Sequence, residues 1–181
     1  MSDLTSDPSD LAGAARARTR ADLAYESLYC AAIGGSIVAL FFLVFDAWNG
    51  QPLFTPSVMG GVLFGGVAAE AVSEVRMDWV AYMTIAHFLV FGAIGVGVTL
   101  VAQQVELRAR HPATVLFAIF AVIEWVFLLG AFLAMPGVLA VLGPYRVAAA
   151  NLLAAGGIAT FLWASHRPEA WEKLKHRVIP A

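Results

Sequence analysis

The chain has 181 residues, of which 60% are hydrophobic and 13% are charged, and its formal net charge is -2 at pH 7. Soluble domains contain about 45–50% apolar and about 25% charged residues, and one small core could not cover such an excess of apolar side chains. The composition therefore excludes an ordinary soluble domain and predicts an integral membrane protein, and the charge gives no support to nucleic-acid binding.

A polar tail precedes the first long apolar stretch. Residues 1–23 are polar, and we expect them to form a flexible cytoplasmic tail. The apolar run that follows, about 24–48, is too long for the core of a cleavable signal peptide and is predicted to remain as the first span. Within it, Gly34-Gly35-Ser36 offers a thin surface that another helix can approach closely.

The segment from Pro56 to Val75 is apolar at its start but is not predicted to cross the membrane. Its uncharged part, Ser57 to Ala69, has 13 residues, whereas a bilayer core requires about 20. The segment also contains four glycines, which weaken an isolated helix. We expect a short helix here that is either re-entrant or interfacial.

Three further apolar stretches have the length of a transmembrane helix. They cover about 79–101, 112–135 and 145–165. With the first span they predict an all-α fold, a four-helix transmembrane bundle over 24–166 with the short helix between spans 1 and 2. The charged residues 167–181 are predicted to form a short cytoplasmic surface helix or tail.

Proline and glycine mark the ends of the last two spans. Pro112 fits the first turn of a helix, and Pro136-Gly137 is expected to end or kink the third span. Gly143-Pro144 makes a tight link into the fourth span. Spans three and four are therefore predicted to be antiparallel neighbours.

The distribution of Lys and Arg predicts the orientation. With four spans, nine of the 11 basic residues lie on one side, and Arg76 and Arg146 lie on the other. If Pro56–Val75 crossed as a fifth span, the division would be five against six. Because basic loops stay in the cytoplasm, the asymmetry favours four spans of a multi-pass cell-membrane protein with cytoplasmic N- and C-termini.

Four polar residues, one from each span, are predicted to lie in the outer half of the bundle. They are Asp46, His87, Glu124 and Asn151. At 1.5 Å per residue, His87 lies roughly 12 Å and Glu124 roughly 16 Å below the outer boundary, so these side chains can meet if their helices are adjacent. Charged groups at this depth cost about 2.5–3.5 kcal/mol, so we expect both to face the bundle interior and to contact each other or a shared ligand.

Two interpretations of this polar layer stay open. In the first, Glu124 hydrogen-bonds to His87 or Asn151 and holds the helices together. In the second, the layer handles protons or ions or binds a small polar ligand. A metal site is one form of the second, because His87, Glu124 and Asp46 would suit zinc, iron or manganese. The sequence leaves open whether a metal or another cofactor is bound.

The sequence favours a non-enzymatic protein, because few ionisable groups converge on one site. It indicates an accessory or structural subunit, or a small transporter-like unit. The expected partners are the lipid bilayer and either a second copy of the chain or a larger membrane complex, but no nucleic acid. The alternative is a membrane redox or metal-dependent enzyme that uses His87 and Glu124.

Several short sequence features follow one another along the chain in the order found in a known group of proteins. They are Gly50-Gln51-Pro52-Leu53-Phe54-Thr55-Pro56-Ser57, His87-Phe88, Glu124, and the stretch from Gly143 to Asn151. In this order the chain resembles a loose group of small bacterial four-span membrane proteins of unknown function, over most of residues 24–167. The resemblance implies a location in a bacterial inner membrane and implies no activity.

Overall fold

The computed structural model describes residues 20–106, 112–135 and 137–166. Every regular element in these ranges is helical. In chain order the elements are α1 (Arg20–Trp48), α2 (Phe54–Gly65), a 3₁₀ turn (Ala69–Ala71), α3 (Met77–Glu106), α4 (Pro112–Ala134), α5 (Val138–Leu142) and α6 (Pro144–His166). Residues 1–19 of the predicted tail and the predicted C-terminal helix at 167–181 lie outside the described residues.

Four helices, α1, α3, α4 and α6, are long and apolar enough to cross a membrane. They confirm the predicted fold class, and the chain is an integral, multi-pass membrane protein. We call the end of the bundle that carries Trp48 the outer end, following the predicted orientation. α1 also includes residues 20–23, which the sequence assigned to the tail. Asp22 in its first turn favours this earlier start, since a carboxylate is stabilised at a helix N-terminus.

The four spans form a ring, but their contacts are unequal. α1 packs most extensively against α3 and then against α6, while α4 packs mainly against α6. α4 and α6 are therefore neighbours, as predicted. α3 and α4, although consecutive spans, share a much smaller contact.

Glycines allow α1 to approach both of its neighbours closely. A Cβ atom added to Gly34 would lie 2.8 Å from Ile158 Cδ1 on α6 and 3.0 Å from Phe91 Cε1 on α3. One added to Gly35 would lie 3.2 Å from Phe88 Cε1, also on α3. The thin surface predicted at these two glycines is therefore where α1 meets both helices.

Apart from Thr99, the described core is apolar from the middle of the bundle to its inner end. Its buried side chains include Cys30, Val98, Ile119, Ile158 and Leu162. Over the described ranges the buried polar side chains are Asp46, Thr55, Ser57, Thr99 and Asn151. Of these, Thr99 alone lies in the inner half of its helix.

The segment between α1 and α3 covers the outer end of the bundle and does not cross it. Ser57 Oγ accepts a hydrogen bond from the Arg76 backbone N–H at 2.9 Å and donates one to the Glu74 carbonyl at 3.4 Å. The two ends of the segment therefore meet at one level of the molecule. This contact supports the prediction of a short helix that does not span.

A short helix that was not predicted, α5, connects α4 to α6. Gly137 and Gly143 flank it with φ angles of 82° and 83°, which glycine adopts without steric cost. α4 begins at Pro112, as expected, and α6 begins at Pro144, one residue before the predicted start, because proline suits the first position of a helix.

Candidate functional site

The polar layer predicted in the outer half divides into separate hydrogen-bonded groups. The pairs are Glu124 with Asn151, His87 with Gly35, and Asp46 with Thr55. The expected contact between His87 and Glu124 is therefore not made, and of the two hydrogen-bond partners expected for Glu124 the structure pairs it with Asn151. The order of the helices explains this, because α3 packs mainly on α1 and α4 mainly on α6.

Glu124 and Asn151 join α4 to α6. The Asn151 amide Nδ2 donates a hydrogen bond to Glu124 Oε2 at 2.7 Å, at the short end of the usual range for such bonds. Asn151 is buried and Glu124 is half-buried. The hydrogen bond expected between Glu124 and Asn151 is therefore formed, and it joins α4 to α6.

His87 joins α3 to α1 through a backbone group. Its Nε2 lies 2.9 Å from the carbonyl oxygen of Gly35. Because a carbonyl oxygen only accepts, Nε2 carries the proton of this bond, and a neutral imidazole keeps its lone pair on Nδ1. The rings of Phe88 and Phe91 lie beside the imidazole, with centroid distances of 5.3 Å and 4.8 Å.

The His87 side chain lines an apolar pocket of about 210 Å³ in the outer half of the bundle. α1, α2 and α3 form most of its walls. Phe42, Met83 and Phe91 are buried parts of the lining, whereas Leu40 is 58% exposed on the surface of the bundle. The pocket therefore reaches from the core to the face that lipid would cover.

Asp46, near the end of α1, caps the N-terminus of α2. Its Oδ2 accepts the Thr55 backbone N–H at 2.7 Å, and its Oδ1 accepts the Thr55 hydroxyl at 2.8 Å. A carboxylate here satisfies an N–H that has no partner within the helix, and it faces the positive end of the helix dipole. Leu53, directly before α2, provides no side-chain cap.

The capping role of Asp46 was not predicted. Asp46 and Thr55 are nine residues apart across a loop, and the local capping signatures that a sequence reveals span only three residues. The one indication of this contact in the sequence was Thr55, a polar residue at the start of an apolar segment.

Arg146 lies near the same outer end. Its guanidinium carbon is 3.9 Å from the centroid of the Phe45 ring, a cation–π contact. Asp46 and Arg146 both line a cavity of about 190 Å³, together with Asn49 and Gln51. Opposite charges therefore share this cavity at the outer end of the bundle.

The residues suggested for a metal are not brought together. The described part of the chain contains no group of three or more His, Cys, Asp and Glu side chains that could hold a metal ion. His87, Glu124 and Asp46 each hydrogen-bond to a different element of the fold. The similar depths of His87 and Glu124 do not make them neighbours, because one side chain bonds to α1 and the other to α6.

Comparison with known proteins gives no match. Neither a family model, nor a curated protein, nor a solved structure matches this chain. The resemblance to small bacterial four-span proteins therefore stays a prediction.

Proposed function

We propose that this integral membrane protein is a non-enzymatic accessory or structural subunit whose outer polar side chains hold its helices together. The observation that carries the proposal is that each candidate site residue makes a hydrogen bond between two elements of the fold. Glu124 links α4 to α6, His87 links α3 to α1, and Asp46 links α1 to α2. Such bonds stabilise membrane bundles by about 0.6–2 kcal/mol each.

The apolar inner core supports a structural role over a transporter-like one. A path for ions or protons would need polar groups that continue across the bundle. Val98, Ile119 and Leu162 instead belong to a buried apolar cluster in the inner half. Moving a charge among such side chains is costly.

The separation of His87 from Glu124 supports a non-enzymatic role. A catalytic site requires its acid, base or ligand groups to converge on one reacting atom. His87 and Glu124 instead bind different helices. The alternative, a redox or metal-dependent enzyme, would need the two side chains to turn toward each other.

Ion flux across reconstituted liposomes tests the proposal. Protein would be inserted into vesicles that contain a pH-sensitive dye, and a pH gradient or a potassium gradient would be applied. We expect the same leak as in protein-free vesicles and in vesicles with the Glu124→Leu/Asn151→Leu variant. A flux that the double variant abolishes would overturn the structural role.

Elemental analysis and a visible spectrum test the enzymatic alternative on the same purified protein. We expect neither a stoichiometric metal nor a cofactor absorption band. A bound metal or chromophore that disappears in His87→Leu would favour the enzyme.

The proposal includes an orientation and a partner. The nine-to-two division of basic residues supports cytoplasmic N- and C-termini. An accessory subunit needs either a second copy or a larger complex in the membrane. Native mass spectrometry after mild extraction should therefore find an assembly, and a single chain at native expression levels would contradict the accessory role.

A further inference from the structure

The pocket beside His87 is large enough to bind a small apolar group. Its volume is about 210 Å³, and dry apolar cavities of about 150 Å³ bind benzene. Leu40, Leu43 and Phe88 belong to its lining and are exposed on the bundle surface. A molecule dissolved in the lipid phase can therefore enter between α1 and α3.

The polar groups in the pocket have already used their hydrogen-bond donors. His87 donates Nε2–H to the Gly35 carbonyl, which leaves the Nδ1 lone pair as an acceptor. Thr84 donates its hydroxyl to a carbonyl of its own helix at 2.7 Å. Thr55 donates its hydroxyl to the carboxylate that caps α2 at 2.8 Å. The pocket therefore offers acceptors to a ligand.

These acceptors select one chemical class of ligand. A hydrocarbon or an ether would leave Nδ1 without a donor. A carboxylate or phosphate would bring a charge and further lone pairs into an apolar site, which is unfavourable. A hydroxyl group on an apolar body supplies the missing donor. Phe88, Phe91 and Met83 provide surfaces against which a ring or chain can pack.

We propose that this pocket binds an uncharged, lipid-soluble hydroxyl compound, an alcohol or a phenol. Its hydroxyl donates a hydrogen bond to His87 Nδ1, and its apolar body lies between α1, α2 and α3. This assignment goes beyond the structural role and does not depend on it, since the Nε2 bond to Gly35 persists when the ligand is bound.

A matched pair of probes tests this assignment. Para-hexylphenol and para-hexylanisole have nearly the same apolar body, but the methyl ether lacks the O–H donor. Binding would be measured to the protein in lipid nanodiscs, after subtraction of partition into protein-free nanodiscs. We expect the phenol to bind about three- to tenfold more tightly, the effect of one net hydrogen bond. Equal affinities would overturn the proposal.

Nitrogen NMR of the imidazole locates the interaction. With histidine labelled, the Nδ1 signal of His87 should shift with the phenol and stay unchanged with the ether. A saturated long-chain alcohol in the same assay shows whether the pocket accepts the hydroxyl of an alcohol as well as that of a phenol. If neither hydroxyl compound shifts the signal, the assignment is wrong.

Two variants distinguish the contribution of the His87 acceptor to binding from that of the apolar pocket. His87→Phe keeps a ring but removes the acceptor, so the preference for phenol over ether should disappear. Thr160→Val, which removes an exposed hydroxyl from α6 away from the pocket, should leave the preference intact. If His87→Phe does not fold, Leu40→Trp at the exposed side of the pocket should weaken phenol binding. A phenol affinity that is unchanged in both His87→Phe and Leu40→Trp would also overturn the proposal.

Discussion

A buried carboxylate near a membrane surface is stable only where hydrogen-bond donors replace water. Asp46 is 5% exposed, and both of its oxygens accept donors from Thr55, which is 7% exposed. The arrangement satisfies the first turn of α2. It also anchors to α1 the segment between α1 and α3, residues 49–76, which we call the cap segment. The N-terminus of α2 therefore explains why an acidic side chain is buried at position 46.

Removing this carboxylate should destabilise the protein. In Asp46→Ala the buried Thr55 N–H and hydroxyl lose their acceptor, so we expect a loss of about 1–3 kcal/mol. Asn49→Ala is the control, because its hydrogen bond to the Phe45 carbonyl is exposed and should contribute about 0.5 kcal/mol or less. Thermal unfolding in detergent would measure both, and equal losses would contradict the capping role.

The Glu124–Asn151 pair should show energetic coupling. Glu124→Leu leaves the buried Asn151 amide unpaired, so the double variant with Asn151→Leu should lose less stability than the two single variants together. We expect a coupling of about 0.6–2 kcal/mol. His87→Leu combined with Glu124→Leu is the comparison, and their losses should add within about 0.5 kcal/mol because they bind different helices. Coupling in the second pair and none in the first would contradict the structure.

At the scale of elements, the positions of the helices along the chain could be predicted, but their rotation could not. Length and apolar content locate a span, and a rise of 1.5 Å per residue fixes the depth of His87 and Glu124. A helix whose lipid side and core side are both apolar shows no polar face, so nothing indicates which neighbour a side chain meets. Asn151 could be considered as a partner for Glu124 because it is a polar side chain. The Gly35 carbonyl could not be identified as the partner of His87, since every residue carries a backbone carbonyl.

α2 packs against the start of α3 because its glycines leave room for Trp79. A Cβ atom on Gly61 would lie 2.8 Å from Trp79 Cε3, and one on Gly65 would lie 2.9 Å from Trp79 Cζ2. One on Gly60 would collide with the Trp79 backbone carbonyl. Three of the four glycines predicted to weaken an isolated helix therefore form its contact surface.

A methyl group at this contact should disrupt it. Gly60→Ala places the new carbon against backbone, which cannot move aside as a side chain can, so we expect a loss of about 1–3 kcal/mol. Gly92→Ala on α3 is the matched control, because no atom lies within 4 Å of its added Cβ. Detergent unfolding compares the two. An undiminished stability in Gly60→Ala would mean that α2 does not pack on Trp79.

At the scale of the whole molecule, the cap segment explains how an apolar stretch with four glycines fits a four-span protein. Ser57 Oγ accepts a hydrogen bond from the Arg76 backbone N–H and donates one to the Glu74 carbonyl, and these two bonds close the segment on one side of the bundle. Both Arg76 and Arg146 then belong to the same end of the molecule. The charge distribution and the fold therefore agree on the number of spans, although they come from independent observations.

Cysteine labelling tests this arrangement and its orientation together. In a Cys30→Ala background, which removes the one native cysteine, single cysteines would replace Gln51 and Glu74, both exposed at the two ends of the cap segment. Both should react with a membrane-impermeant reagent added outside intact cells, because the segment returns to the side from which it starts. Ser165→Cys, exposed near the opposite end of the bundle, should react only after permeabilisation. Reaction of Gln51 and Glu74 cysteines from opposite sides would require a fifth span, whereas reaction of both only after permeabilisation would reverse the orientation.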